Sequence, residues 1–187
     1  MLGAVVDGER DRRAERGDAA DQLDEALPAL EAATQALAVP FSYVGRMFVT
    51  GRGAEYATAR EIALKLLETC RTAAAPLTAT DLAHGPVAVL DPLFPVWAIA
   101  SRDVSLSAVQ DAAARIKEFG STVVASGPAA REIAGADYYL PVPEPELALL
   151  SPLLSVVPGQ LFAAALARAK GFDPDAPRGL TKVTLAR

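Results

Sequence analysis

The chain carries a single cysteine, Cys70, and a single histidine, His84, in 187 residues. The lone cysteine excludes an intramolecular disulfide and any zinc site built from several cysteines, and the lone histidine excludes every multi-histidine metal site. Without a disulfide framework the chain reads as reduced and intracellular, so a cytoplasmic location is expected. Basic charge is also scarce. Eighteen Lys and Arg against 23 Asp and Glu leave a net charge of −5 and a pI near 4.9. Nucleic acid and an anionic membrane surface both need a basic face, so neither is expected as the main partner. No targeting segment stands out, because Met1–Val6 is too short for a signal core and runs straight into charges. One uncharged stretch, Leu147 to Ala167, is long enough to span a bilayer, but Pro152, Pro158, Gly159 and Gln160 interrupt it. A buried helix covering a sheet explains it better than a membrane span. No cofactor and no metal is expected.

Hydrophobic residues make up 51% and charged residues 22% of the chain, a globular mix that rules out wholesale disorder. At this length one domain is expected, burying roughly 70% of its unfolded surface. Residues 1–40 read as a charged segment, Asp7 to Asp18, followed by a linker helix over Asp21–Leu37 with Pro28 inside it as a kink or a start. Residues 41–187 read as an α/β domain with a C-terminal tail. Strands are predicted at Met47–Thr50, Ala73–Leu77, Pro95–Ala100, Ser121–Ala125 and Tyr138–Val142. Helices are predicted at Ala54–Arg71, Thr80–His84, Val104–Phe119, Pro128–Ala134 and Leu147–Lys170. Five short apolar strands alternating with helices imply a parallel sheet covered on both faces, a doubly wound three-layer αβα sandwich.

Four groups of residues could carry chemistry. Gly51-Arg52-Gly53 lies between a strand and a helix, where backbone N–H groups cradle phosphates. It lacks the third glycine of the dinucleotide fingerprint, and a tight turn without ligand is the simpler explanation of a lone glycine pair. Glu61, Lys65 and Glu68 are spaced four and three apart, which puts them in one stripe of a helix. As a solvated face the stripe is worth a few tenths of a kcal/mol. As a site it offers a carboxylate to carry a proton beside an ammonium to hold a developing oxyanion. His84, followed by Gly85-Pro86, sits at an element end, either as a cap of the last turn or as a proton shuttle near neutral pH. Lys182 lies in a tail whose Leu180 and Val183 could pack down. Cys70 falls on an apolar side of its helix and reads as core.

Taken together, G-R-G at Gly51–Gly53, E-I-A-L-K-L-L-E at Glu61–Glu68, H-G-P at His84–Pro86 and D-A-P-R-G-L-T-K-V-T at Asp175–Thr184 resemble the SIS (sugar isomerase) family. The likeness is to the second SIS half of two-SIS phosphosugar isomerases and deaminases, including the isomerase domain of glucosamine-6-phosphate synthases, and runs from Val44 to Thr184. It implies a flavodoxin-like SIS fold with a five-stranded parallel sheet. It also implies action on a hexose 6-phosphate, as the catalytic half of an aldose–ketose isomerase or of an amino-sugar-phosphate deaminase or aminotransferase. The alternative is a non-catalytic sugar-phosphate-binding or dimerisation module.

Carried over by resemblance, Glu68 moves a proton between carbons 1 and 2, Lys65 holds the enediol oxygens and Glu61 orients its neighbours. His84 helps open the sugar ring across a dimer interface, Lys182 contacts the open-chain carbonyl, and Gly51, Arg52 and Gly53 bind substrate. Asp81 and Ala83 depart from the residues that relatives often carry before the histidine. The family's Ser/Thr-rich phosphate grip belongs to the first SIS half. Here only a sparse Ser101-Arg102-Asp103-Val104-Ser105 stands at an analogous strand end. The chain therefore reads as a half that is either a truncated product or a natural partner of another half. A homodimer, or pairing with a first SIS half, is expected, as is convergence of Glu61, Lys65, Glu68 and His84 on one cleft at the carboxyl ends of the strands.

Overall fold

The computed structural model describes the backbone of residues 2–180 and the side chains of residues 17–180. Lys182 lies outside the described residues. Five strands form one parallel sheet: β1 Arg46–Gly51, β2 Ala73–Thr78, β3 Val96–Ile99, β4 Val123–Gly127 and β5 Tyr138–Pro141. Their order is β2-β1-β3-β4-β5, with Phe48 opposite both Ala75 and Val96, and Ala98 opposite Ala125. The strands are short and apolar, and the central ones are buried throughout, because helices cover both faces of a parallel sheet. All five lie where the sequence predicts them, with ends shifted by two residues or fewer.

Strand alternation divides the core in two. On one face Met47, Val49, Trp97, Ile99, Val124 and Leu140 meet three helices: α1 (Leu2–Ala38), α2 (Glu55–Cys70) and α5 (Ser151–Ala169). On the other face Val96, Ala98, Val123 and Ala125 meet α3 (Ala79–Ala83), a 3-10 turn at Pro86–Val89 and α4 (Leu106–Glu118). This is the three-layer αβα sandwich. Trp97 sits in the first core, its indole N–H donating to Ser126 Oγ at 2.7 Å, so its one polar atom is satisfied at full burial.

α5 has the length and composition of a membrane span over Ala148–Ala169. It is a core helix here: Leu154, Phe162 and Leu166 are buried against α2 and α1. Gly159 lets it approach α2 closely, since a Cβ there would stand 2.3 Å from Ile62 Cγ1. The helix begins at Ser151, with Pro152 in its first turn, and a 3-10 turn at Ala148–Leu150 replaces the start predicted at Leu147.

One further expectation is corrected and one open alternative is resolved. Pro128–Ala134 forms only a 3-10 turn at Ala130–Glu132, too short a segment for α-helix before β5. The charged segment and the linker helix are one continuous helix, and Pro28 lies inside it on the exposed side rather than at a start. A mid-helix proline costs about 3 kcal/mol. It is offset where Leu30, Thr34 and Leu37, just beyond it, bury themselves in the core shared with α5.

Candidate active site

α2 carries the charged stripe. Ile62, Ala63, Leu66 and Cys70 fill its buried face, which leaves Glu61, Lys65 and Glu68 along a half-exposed flank. Lys65 Nζ lies 3.0 Å from Glu68 Oε2 and 3.7 Å from Glu61 Oε1. The hydrogen bond to Glu68 raises the Lys65 pKa above its ordinary value against a smaller opposing effect of burial, with the Glu61 charge adding to the rise. Lys65 is therefore an ammonium throughout the neutral range. It is suited to holding negative charge on oxygen and unsuited to acting as a base.

The two carboxylates face different hollows. Glu68 lines a cavity of about 360 Å³ with Thr69, Arg71, Phe172, Asp173 and Arg178, among others. Glu61 lines a shallower groove of about 500 Å³ beside the edge strand β2, with Arg60, Leu64, Ala74 and Pro76. Leu67 lines both and forms the ridge between them. Glu68 thus borders a half-open hollow with two guanidinium groups in its walls, formed where the chain returns from α5 past the end of α2.

His84 is elsewhere. It follows α3 as an exposed residue, its backbone N–H donating to Asp81 O at 3.1 Å. Thr78 caps that helix in a reciprocal arrangement: Asp81 N donates to Thr78 Oγ1, and Thr78 Oγ1 donates to the Asp81 carboxylate. α3 belongs to the layer on the far face of the sheet from α2. Among the described residues no hydrogen bond or ion pair joins His84 to the stripe. Within one protomer the structure brings Glu61, Lys65 and Glu68 together and leaves His84 apart, so all four could meet only with a histidine from a second subunit. The expected position at the carboxyl ends of the strands is corrected for Glu68: α2 starts at the carboxyl end of β1 and runs back along the sheet, so its last turn lies by the amino end of β2.

The Gly51–Gly53 turn holds something the sequence reading missed. A Cβ on Gly51 would stand 2.7 Å from the Glu55 carbonyl oxygen, so glycine is needed for α2 to start this close to β1. Glu55, in the first turn of α2, is 1% exposed. Its Oε1 accepts from Ser101 Oγ at 2.5 Å and Ser155 Oγ at 2.9 Å, and its Oε2 accepts from Thr58 Oγ1 at 2.8 Å. The buried carboxylate ties the first turn of α2 to the segment after β3 and to α5. Arg52 is exposed and donates to Thr80 Oγ1. The signal for Glu55 was an acid two residues after a glycine turn, which in sequence looks like any solvated first-turn glutamate.

At the other end of α2, Cys70 is buried and its Sγ donates to Ala163 O at 3.1 Å. Burial pushes its thiol pKa up, which is wrong for a nucleophile. Lys170, from the end of α5, donates to Val44 O at 2.6 Å, Thr72 Oγ1 at 2.8 Å and Cys70 O at 3.4 Å, and burial lowers its pKa.

Comparison with known proteins places this architecture. The SIS domain family profile matches residues 41–168. A glutamine–fructose-6-phosphate aminotransferase (isomerizing) of Gloeobacter violaceus is 38% identical over 165 residues, covering 86% of this chain and 27% of that protein. The solved C-terminal domain of glucosamine-fructose-6-phosphate aminotransferase from Francisella tularensis superposes with a TM-score of 0.80 at 25% identity, covering 87% of this chain and 46% of that one. Tagatose-6-phosphate ketose/aldose isomerase from Escherichia coli shares the fold with a TM-score of 0.72 at 22% identity, covering 90% and 47%. The chain spans about a quarter of the length of the curated relatives it matches, and about half of these solved chains.

Proposed function

Because the chain belongs to the SIS domain family, we propose that it is the catalytic half of an enzyme acting on a hexose 6-phosphate, either by aldose–ketose interconversion, by deamination of an amino-sugar phosphate, or by amino transfer that forms one. The observation that carries the proposal is the Lys65–Glu68 pair, an ammonium at neutral pH 3.0 Å from a carboxylate that lines a half-open cavity. A carbon acid beside a carbonyl needs these two groups: a base to take the proton, and a cation for the oxygen that gains charge as it leaves.

In this reading the Glu68 carboxylate takes the proton from the carbon next to the carbonyl, the electron pair moves to the carbonyl oxygen, and an enediolate forms. The hydroxyl proton passes from one oxygen to the other, the Glu68 carboxyl returns its proton to the former carbonyl carbon, and the interconversion is complete. Lys65 holds the enediol oxygens and Glu61 keeps Lys65 in place from its other side. Lys182, two residues beyond Leu180, meets the open-chain carbonyl. His84 assists ring opening from a second subunit, a role that its placement in the opposite layer favours over one within its own protomer. Gly51–Gly53 seats α2, with Arg52 as the side chain there able to meet a phosphate. A first SIS half, or a second copy of the chain, completes the site, and the location is cytoplasmic.

The test is incubation of the purified chain, alone and mixed with a first SIS half, with fructose 6-phosphate and with glucosamine 6-phosphate. Conversion of either sugar supports the catalytic reading. Binding of both without conversion under either condition overturns it in favour of a non-catalytic sugar-phosphate-binding or dimerisation module.

A further inference from the structure

We infer that Arg71, through its stack on Phe172, is a positioning residue that holds the segment Asp173–Leu180 as the wall of the Glu68 cavity. This deepens the proposed function and rests on it only for the consequence to turnover.

Arg71 has φ +51° and ψ +34°, the left-handed conformation in which helices commonly end on glycine, and among the described residues it is the one non-glycine with positive φ. A side chain in that conformation is strained, and glycine would relieve the strain. What the arginine adds is a contact: its guanidinium lies 4.1 Å from the centroid of the Phe172 ring, well within cation–π range.

Phe172 is the hinge of the returning chain. α5 ends at Ala169, Gly171 turns with φ +76°, and the Phe172 N–H donates back to Ala167 O at 2.8 Å. Phe172 is partly buried against the core that α2 and α5 share. Beyond it, the hydrogen bonds of the described segment are internal: Asp175 N to Asp173 Oδ1, and Leu180 N to Pro177 O. None reaches α2. Yet Asp173, Ala176, Pro177, Arg178 and Leu180 line the same cavity as Glu68. With no hydrogen bond of its own across that cavity, the segment takes its course from where Phe172 is pinned. Arg71 pins it from the α2 side. Lys170 fixes the base of the same junction by bonding Val44 O and Thr72 Oγ1.

Arg71→Gly separates the side chain's role from the backbone's, because glycine adopts φ +51° without strain and the fold is kept. Hydrogen exchange over 173–180 is expected to quicken roughly fivefold, the scale of a lost partly exposed cation–π contact, with no loss of melting temperature. With fructose 6-phosphate, kcat is expected to fall about tenfold with KM little changed, and Arg71→Lys, which restores a cation, to recover most of both. Unchanged exchange in Arg71→Gly overturns the positioning of the segment. Faster exchange with unchanged kcat overturns its link to the chemistry. A wild-type chain that does not turn over the sugar either alone or mixed with a first SIS half contradicts the proposed function instead, and the exchange measurement still decides whether Arg71 holds the segment.

Discussion

Lys65 shows how three residues on one helix flank become more than a solvated face. Its hydrogen bond to Glu68 raises its pKa above the ordinary lysine value of 10.5, so the ion pair stabilises the fold in full below that value. The contribution is lost as pH rises through the folded-state pKa, which lies above it. The side chains are one quarter to two fifths exposed, so solvent limits the gain to a few tenths of a kcal/mol. Lys65→Met is therefore expected to cost a small, pH-independent amount of stability through the neutral range. On the alkaline side the difference from wild type should vanish as Lys65 loses its proton, as read by denaturant titration at a series of pH values. Glu55 is the opposite case, a carboxylate with almost no exposure and three hydroxyl donors. Glu55→Ala leaves those hydroxyls unpaired in the core and is expected to cost about 3–5 kcal/mol, in the range seen when one partner of a buried polar cluster is removed. Glu55→Gln, which keeps an acceptor, should cost less. Urea melts of the two variants measure this directly.

At the scale of elements, the α2–α5 contact decides where the candidate site sits. Gly159 allows the approach, and the Cys70–Ala163 and Lys170–Thr72 bonds hold the carboxyl end of α2 to that of α5. Gly159→Ala forces Ile62 to move and is expected to destabilise by about 1–3 kcal/mol, the usual cost of overpacking. Ile62→Val in the same chain, with one carbon removed from the crowded spot, should recover part of that loss in a thermal melt. The strands and most helices were legible in the sequence, because a parallel sheet buried on both faces writes itself as short apolar runs between helical periods. Spacing alone left Pro28 open as a kink inside its helix or as the helix start. Local propensity says stop there, and only the burial of Leu30, Thr34 and Leu37 against α5 overrides it. The stripe Glu61, Lys65, Glu68 followed from helical spacing alone. The cavity beside Glu68 did not, since it depends on Arg71 meeting Phe172 across about a hundred residues of chain, a tertiary contact with no period.

For the molecule as a whole, the sheet separates what the motifs had suggested would converge. α2 and its stripe lie in one layer and His84 follows a helix of the other, an assignment that chain order alone does not reveal. If His84 serves the Glu68 site, it does so from another subunit. Exposed Leu64 and Leu67 on α2, and Leu149 and Leu153 at the start of α5, leave apolar surface for such a partner. Light scattering at micromolar concentration is expected to show a dimer or larger species, and a sole 19.5 kDa species would count against assembly from copies of this chain.

The central claim is that Glu68 moves a proton on a sugar phosphate, and solvent deuterium reads that step without waiting for net conversion. Fructose 6-phosphate is incubated in heavy water with the chain, alone and with a first SIS half, and carbon-bound deuterium is followed by NMR. The account expects incorporation next to the carbonyl by wild type and a loss of roughly a hundredfold or more in Glu68→Gln, the scale of removing a general base. Incorporation at the wild-type rate in a folded Glu68→Gln variant, or none by wild type while the sugar phosphate is bound, would contradict it.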